Sequence, residues 1–192
     1  MIQDMSKKPD QMTPEELGHL FPIILSEPDP EWNKLFKTER KKIEQTLGLE
    51  NLIRIEHIGS TAVANLISKP TIDILVEIPE ETDNQEVIDR IKSLGYHFIP
   101  RPENPAPHMM FVKGYTKDGF KGQAYHIHVR YHGDWDEIYF RDYLIQNPDI
   151  ASEYGNLKKD LARKFKNDRE GYTDAKTAFI KRITEIAKGI RK

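Results

Sequence analysis

The sequence contains no cysteine, which excludes disulfide bonds and a cysteine nucleophile. It also lacks an apolar run of eighteen or more residues, the minimum for a membrane-spanning helix. Its N-terminus has no signal-peptide pattern. We therefore expect a cytoplasmic protein that has no membrane partner.

Acidic and basic residues are present in nearly equal numbers. Lysine and arginine number 29, aspartate and glutamate number 31, and the formal net charge is −2. Without a global positive field, nucleic acid is not an expected partner. Any site for an anion must come from a local arrangement of side chains.

Several common catalytic motifs are also missing. There is no Walker motif, no Gly-x-Gly-x-x-Gly and no Gly-x-Ser-x-Gly elbow. A P-loop kinase, a dinucleotide-binding domain and a serine hydrolase of the elbow type are therefore not predicted. Ser60 has no partner that the sequence can assign, although His57 lies three residues before it.

The length of 192 residues predicts one domain, large enough to bury about 70% of the surface that its unfolded chain would expose. We assign residues 22–190 to this domain and residues 1–21 to an N-terminal tail. Thr13 followed by Pro14 predicts one short helix within the tail.

The most informative stretch covers residues 55–78. An alternating segment ends at Gly59-Ser60, and an almost wholly apolar segment runs from Ile72 to Ile78. The pattern predicts strand, tight turn, a helix starting at Thr61, and strand. Backbone amides at the start of that helix would hold an anion. Asp73 is the acidic residue near the start of the apolar strand, and a buried carboxylate needs a metal, a base or a hydrogen-bond donor.

These residues resemble a known family. His57-Ile-Gly-Ser-Thr-Ala-Val with Lys69-Pro-Thr-Ile-Asp73-Ile-Leu-Val is similar to the GrpB (UPF0157) family, placed in the nucleotidyltransferase superfamily with a polymerase-beta-like fold. Further similar segments are His126-Ile-His-Val, Phe140-Arg-Asp-Tyr-Leu, Asn147-Pro, and Asp168-Arg-Glu-Gly-Tyr-Thr-Asp-Ala-Lys176. The resemblance covers roughly residues 22–190 and implies a nucleotidyltransferase-like fold.

The resemblance also implies a nucleotide ligand and divalent metal ions, magnesium or manganese ahead of zinc. Enzymes of the superfamily place two carboxylates two residues apart on one strand, where they share magnesium ions that bridge nucleotide phosphates. In this sequence the second position is Leu75. Glu77 is on the same face but about 13 Å from Asp73 at 3.3 Å per residue, too far to share an ion. This departure speaks against nucleotidyl transfer by two metals and leaves open the binding of a single metal or of a nucleotide without turnover.

The fold class predicted is α+β, a small mixed β-sheet flanked by helices with a helical C-terminal half. The strands expected are 23–26 at an edge, 53–58, 72–78, 96–99, 109–115 and 123–131, the last two joined by a hairpin at 117–122. The helices expected, besides those already described, are 32–47, 83–94, 135–146, 148–165 and 173–190, with a loop at 100–107 and a turn at 168–172.

One predicted strand carries two histidines. With a period of two, His126, His128 and Arg130 share one face of strand 123–131, while Tyr125, Ile127 and Val129 share the other. Beside Asp73, the imidazoles would form a metal site of Asp73, His126 and His128, with Asp73 and His128 as the catalytic pair. Such donors suit zinc, manganese or iron better than magnesium. The alternative is that the histidines face solvent or donate hydrogen bonds to the substrate.

A second group of residues is predicted to bind a phosphorylated substrate. Its members are Gly59, Ser60, Thr61, Lys69, Arg130, Arg141 and Lys176, with Lys158 a weaker candidate. Arg141 could equally pair with Asp142 or Glu137 and hold a helix in place. His57 is predicted to be structural, bonded beneath the turn.

Two hypotheses follow from these observations. The first is a nucleotidyltransferase-like enzyme that binds a nucleotide or small phosphorylated metabolite at Gly59-Ser60 and a metal near Asp73. The second is a non-catalytic module that binds the same ligand and lacks the second carboxylate because Leu75 replaces it.

Overall fold

A five-stranded mixed sheet forms the centre of the molecule. The structure, a computed structural model, describes residues 11–101, 104 and 107–190. The strands are β1 (Arg54–Ile58), β2 (Thr71–Ile78), β3 (His97–Ile99), β4 (Met109–Thr116) and β5 (Gly119–Tyr131). They are ordered β1-β2-β5-β4-β3. The neighbours β2 and β5 run parallel and the other pairs are antiparallel.

Six α-helices surround this sheet within the described ranges. They are α1 (Pro14–Leu20), α2 (Glu31–Leu47), α3 (Asn84–Ser93), α4 (Asp136–Gln146), α5 (Pro148–Lys164) and α6 (Arg169–Ile190). None of the helices in the part of the chain described combines the length and apolar character that spanning a bilayer requires. The predicted class, α+β with a mixed sheet and a helical C-terminal half, is confirmed.

The main core lies between one face of the sheet and helices α2 and α3. Trp32, Phe36 and Ile43 point from α2 onto alternate residues of the central strands, among them Ile74 and Ile127. The helical spacing of apolar residues in α2 and the period of two in β2 and β5 bring these two apolar faces together. Burial of this face leaves the opposite face of the sheet for the C-terminal helices.

The second face of the sheet is more polar. A small group of Ile58, Leu75 and Ile138 joins β1 and β2 to α4. A separate cluster, including Leu66, Leu144 and Tyr154, packs the segment after β1 against α4, α5 and α6. Between these two clusters the polar side chains of β2 and β5 face the C-terminal helices.

Most of the predicted elements lie within a residue or two of their expected bounds, but four differ. Residues 23–26 form only an isolated bridge from Ser26 to Ser68, because no continuous partner edge runs beside them. The hairpin loop shrinks to residues 117–118, since β5 extends back to Gly119. Helix α6 begins at Arg169, within the predicted turn 168–172.

The fourth difference concerns the helix predicted to start at Thr61. Only a three-residue 3-10 turn, Ser60–Ala62, is present, and no side chain caps it. The chain turns again at Asn65, whose φ of 61° lies in the left-handed region. The predicted helix starting at Thr61 is therefore wrong, and a turn this short has no aligned set of amides for an anion. Binding of an anion at the Gly59-Ser60 turn stays a prediction. Of the predicted tail, residues 1–10 lie outside the described residues, as do 102–103 and 105–106 of the predicted loop 100–107.

Candidate functional site

A cleft of about 1170 Å³ lies between the polar face of the sheet and the C-terminal helices. Strand β2 contributes Asp73 to its floor and β5 contributes His126 and His128. Helix α5 supplies Lys158, and α6 supplies Lys176. The cleft therefore joins residues from distant parts of the sequence.

Asp73, His126 and His128 converge within the cleft. Because β2 and β5 run parallel, Asp73 lies directly beside His126 and Leu75 beside His128. The Asp73 Oδ1 atom is 3.1 Å from His126 Nδ1 and 3.6 Å from His128 Nε2. One ligand atom from each residue lies within 4.8 Å of the other two, a spacing that suits a shared metal ion.

The electrostatics of this group favour a charged carboxylate. Burial opposes ionisation of Asp73, but hydrogen bonds and charge from His126 and His128 outweigh it and hold the pKa of Asp73 far below its usual value. Burial lowers the pKa of His126, assisted by His128 and Lys69 and opposed by Asp73. A carboxylate with neutral imidazoles is the protonation state in which these residues bind a divalent cation.

The Asp73 side chain packs directly against Gly59, where no side chain occupies the space. Its φ of 73° lies in the left-handed region, and a Cβ atom built on it would stand 2.4 Å from Asp73 Oδ2. Any larger residue would therefore push against the carboxylate as well as strain the backbone. The glycine of the Gly-Ser turn is required by contact with the aspartate.

Hydrogen bonds of Thr61 with His57 and Thr71 fix the turn that follows Gly59. His57 Nε2 is 3.0 Å from the hydroxyl of Thr61, and that hydroxyl donates to the carbonyl of Thr71 at 2.9 Å. The His57 ring stacks on Phe36 at 4.7 Å. Burial lowers the pKa of His57 to about 4, so the ring is neutral at neutral pH. Ser60 lies on the cleft wall, whereas the Thr61 hydroxyl is already engaged below it.

The position two residues after Asp73 holds a fully buried side chain. Leu75 has 0% exposure and packs with Ile58 and Ile138. Glu77, also at 0% exposure, is bound by Arg54 and by His132 Nδ1, the latter at 3.0 Å. Neither position offers a second carboxylate to a metal at Asp73, in agreement with the spacing of the sequence.

The cleft also contains a group of basic residues. Lys69, Lys158 and Lys176 line it together with Arg169. Within the described ranges, none of the three lysines forms an ion pair with a carboxylate. Their ammonium groups instead lie over aromatic rings, Lys158 at 4.8 Å from Tyr154 and Lys176 at 4.2 Å from Tyr172. We call these four basic residues the cationic cluster.

Burial and mutual repulsion weaken the charge of the cluster. Burial, with the neighbouring Lys176 and Lys69, lowers the pKa of Lys158 to about 7. Burial also lowers the pKa of Lys69 and of Lys176 to about 8, against the attraction of Asp73. Lys158 is only 2% exposed, and its Nζ lies 3.4 Å from Ser68 Oγ. A bound anion would satisfy these ammonium groups and restore their charge.

Two predicted substrate-binding residues lie elsewhere. Arg141 donates to the Glu56 carboxylate at 2.7 Å and to the His57 carbonyl at 2.9 Å, and it also pairs with Asp142, so it fastens α4 to β1. Arg130 lies over Trp135 at 5.6 Å and donates to the Val129 carbonyl. Neither residue lines the cleft.

The sequence did not single out every residue of the cleft. Arg169 and Tyr172 lie within the predicted turn 168–172, yet both line the cleft because α6 begins earlier than expected. Tyr115 ends the predicted strand 109–115, and its hydroxyl is 2.8 Å from His126 Nε2. The glycine before it was the available signal, since a glycine inside a strand often marks a bulge.

The fold and cleft define a class of protein, an α+β domain in which an Asp-His group and a cationic cluster share one cleft. Comparison with known proteins places the chain more narrowly. A family described as GrpB protein matches residues 22–186, and the chain belongs to this family.

Two individual relatives support the assignment to the GrpB family. A UPF0157 protein of Pseudomonas aeruginosa is 41% identical over 157 residues, which cover 81% of this chain and 63% of that protein. The glutamate-rich protein GrpB of Alkalihalophilus pseudofirmus is 35% identical over 84% of this chain and 93% of its own length. The chain thus spans under two thirds of the Pseudomonas relative.

A solved structure of the same family superposes on this chain. The crystal structure of conserved protein GrpB from Enterococcus faecalis superposes with a TM-score of 0.75 at 33% identity, covering 88% of this chain and all of that one. A looser superposition, with a TM-score of 0.43 and 14% identity, relates 72% of this chain to 41% of Cid1 poly(U) polymerase. That similarity is too distant to indicate an activity.

Proposed function

We propose that this protein binds a nucleotide, or another small metabolite with several phosphate groups, together with one divalent metal ion. The phosphates would lie on the cationic cluster, and the ion on Asp73, His126 and His128. The observation that carries the proposal is the convergence of three lysines without carboxylate partners, among the described residues, on the same cleft as the Asp-His group.

Charge complementarity supports a polyphosphate in particular. Placing several ammonium groups side by side in a buried site is unfavourable unless an anion offsets their repulsion. Phosphate oxygens accept charge-assisted hydrogen bonds from lysine and arginine. A ligand with several phosphates could contact the cluster with one end and the metal with the other.

Nucleotidyl transfer with two shared metals is not what these residues favour. The family resemblance makes this activity a candidate, but Leu75 stands where the second carboxylate is needed and is fully buried. Ser60 on the cleft wall and a single metal would still allow positioning and charge neutralisation of a nucleotide. We therefore place metal-assisted binding first and transfer as the activity to test.

Isothermal titration tests the binding. ATP, CTP, GTP, UTP and tripolyphosphate are titrated into the protein with and without Mg²⁺, Mn²⁺ or Zn²⁺. We expect binding of at least one of these anions, strengthened by a divalent ion in the native protein and not in Asp73→Asn. Absence of binding by every anion under all metal conditions would refute the proposal.

A second assay separates transfer from binding. Pyrophosphate release is followed with each nucleoside triphosphate that binds. Release that disappears in Asp73→Asn would establish cleavage between the α- and β-phosphates, and a nucleotidylated product in place of the free nucleoside monophosphate would distinguish transfer to an acceptor from hydrolysis by water. Binding without release would establish a binding module.

A further inference from the structure

The Tyr115 side chain points to the face of the sheet opposite to the one that strand alternation predicts. Two residues earlier, Lys113 points to the α2 side of the sheet, where its Nζ donates to buried Glu39 at 2.8 Å. With a period of two, Tyr115 should point the same way. Instead its ring stacks on His126 at 5.6 Å, on the cleft side.

The change of face coincides with an irregular β-bulge at Gly114, where this one residue of β4 lies opposite residues 121–124 of β5. The pairing of β4 with β5 shifts between Lys113 and Tyr115. Gly114 has a φ of 89°, and an added Cβ atom would stand 2.6 Å from the carbonyl oxygen of Gln123. Only glycine fits this backbone without displacing the neighbouring strand. A bulge of this kind redirects a side chain, and such bulges are frequent beside functional sites.

The Tyr115 hydroxyl contacts the ring nitrogen of His126 that faces away from Asp73. His126 turns Nδ1 toward Asp73 at 3.1 Å and Nε2 toward the Tyr115 hydroxyl at 2.8 Å. Because His128 approaches the same Asp73 oxygen, Nδ1 is the nitrogen of His126 that faces the shared ion position. A histidine that binds a metal through one nitrogen usually donates its other N–H to an oxygen, which fixes the tautomer and orients the ring.

We propose that Tyr115, aimed by the Gly114 bulge, is the positioning residue of the metal site, and that the site takes a transition metal that accepts imidazole nitrogen. This inference rests on the proposed function, because it assumes that Asp73, His126 and His128 hold one divalent ion. With the ion bound at Nδ1, the Nε2–H of His126 donates to the Tyr115 oxygen. A phenol can accept this bond, and a phenylalanine cannot.

Tyr115 also connects the metal position to the cationic cluster. The guanidinium of Arg169 lies over the Tyr115 ring at 5.8 Å. The rings of Phe21 and Phe120 also pack against the Tyr115 ring, with centroids 5.1 and 5.2 Å away. The ring is therefore held on several sides, as a residue that fixes a ligand's orientation must be.

The test compares Tyr115→Phe with the native protein in Mn²⁺ and Zn²⁺ titrations, with Mg²⁺ as the oxygen-preferring reference. We expect Mn²⁺ or Zn²⁺ to bind the native protein at least about tenfold more tightly than Mg²⁺. Tyr115→Phe should weaken that binding about 10- to 100-fold. Tyr125→Phe is the matched control, since it removes a phenol of the same hairpin on the opposite face.

A second measurement reports the tautomer directly. Imidazole ¹⁵N chemical shifts of the metal-bound native protein should show a protonated Nε2 on His126, and Tyr115→Phe should lose this single state. A structural contribution of Tyr115 to folding alone would leave the ¹⁵N pattern unchanged. Tripolyphosphate binding without metal serves to show that the variant keeps its cleft.

The outcomes separate the two proposals. Equal metal affinity in the native protein and Tyr115→Phe overturns the inference and leaves the proposed function in place. Tight Mg²⁺ binding with no preference for Mn²⁺ or Zn²⁺ also overturns it. Failure of all three ions to bind the native protein overturns both the inference and the metal part of the proposed function.

Discussion

Lys158 shows the conflict between stability and binding most clearly. It is 2% exposed, it lies among other cations, and no carboxylate in the described structure pairs with it. Such a residue is unfavourable for folding, and its retention in the cleft is consistent with the binding of an anion. The same conflict is expected, to a smaller extent, for Lys69 and Lys176.

Replacing Lys158 with methionine should stabilise the protein at pH 7 by about 2–4 kcal/mol, since one pKa unit corresponds to about 1.36 kcal/mol. The pKa of Lys158 is lowered in the folded protein, so between pH 7 and about 10 the unfolded state binds more protons. Stability of the native protein therefore rises with pH, and the advantage of the variant shrinks. Thermal or urea unfolding at pH 7 and pH 9.5 measures both effects.

The same variant should bind tripolyphosphate about 10- to 100-fold more weakly, because it loses a charge-assisted hydrogen bond. Lys159→Met on the exposed side of α5 is the matched control for both measurements. A variant that is less stable than the native protein and binds equally well would contradict the assignment of Lys158.

Gly59 provides a second test at the level of one residue. Gly59→Ala combines a left-handed backbone with a contact to the Asp73 carboxylate, and should destabilise the fold by about 2–4 kcal/mol. Gly95→Ala has a similar φ of 84° and no atom within 4 Å of the added Cβ, so it isolates the backbone effect. A larger loss of stability and of metal affinity in Gly59→Ala than in Gly95→Ala is expected from denaturant unfolding and metal titration.

At the scale of the element, the hairpin of β4 and β5 decides the geometry of the cleft. It places Lys113 against Glu39 on one face and Tyr115 against His126 on the other. Glu39 is 1% exposed and also accepts a hydrogen bond from Tyr96 at 3.0 Å. Burial opposes ionisation of Glu39, but the bonds to Lys113 and Lys42 outweigh it and lower its pKa. The bulge thus lets one strand anchor α2 and supply the site.

Gly114→Ala should remove this arrangement. The added Cβ meets the backbone of Gln123, so the hairpin must shift, and we expect a loss of about 2–4 kcal/mol of stability. Gly122→Ala in the same hairpin has a φ of 69° and open space around the added atom. The control should therefore lose only about 1–2 kcal/mol. Urea unfolding of the two variants makes the comparison, and equal losses would show that the bulge is not constrained.

At the scale of the whole molecule, the net charge of −2 conceals a separated charge pattern. Three lysines and Arg169 gather in the same cleft as the Asp-His group, while other charges form ion pairs, for example Lys34 with Glu31 and Arg40 with Glu44. A protein of this kind attracts an anion locally without a positive overall field. Its affinity should depend on the protonation of the cluster.

The affinity for tripolyphosphate should fall by about tenfold or more between pH 7 and pH 9, by proton linkage. Rising pH deprotonates Lys158 first, near pH 7, and then Lys69 and Lys176, near pH 8. The ligand itself becomes more negative over this range, so its own ionisation would produce the opposite trend in affinity. Titration calorimetry across the pH range measures the effect, and a constant or rising affinity would refute the assigned cluster.

Much of the fold was predictable because local patterns determine it. The apolar spacing of α2, the period of two in β2 and β5, and Asn147-Pro148 between α4 and α5 follow from short-range rules. The proximity of Asp73 to the histidines was also predictable, since both lie at corresponding points of two strands on one polar face. The 3-10 turn at 60–62 was not, because packing against His57 and Asp73 overrides the local helix preference of that segment.

The sequence by itself determined the family, the α+β class and the absence of a second carboxylate beside Asp73, because each depends on residue identity at fixed spacing. Tertiary structure alone decided which cations share the cleft. Lys158 and Arg169 reach it and Arg130 and Arg141 do not, since that depends on how α4, α5 and α6 pack on the sheet. Only the fold also showed that an irregular bulge at Gly114 places the Tyr115 hydroxyl next to His126 Nε2.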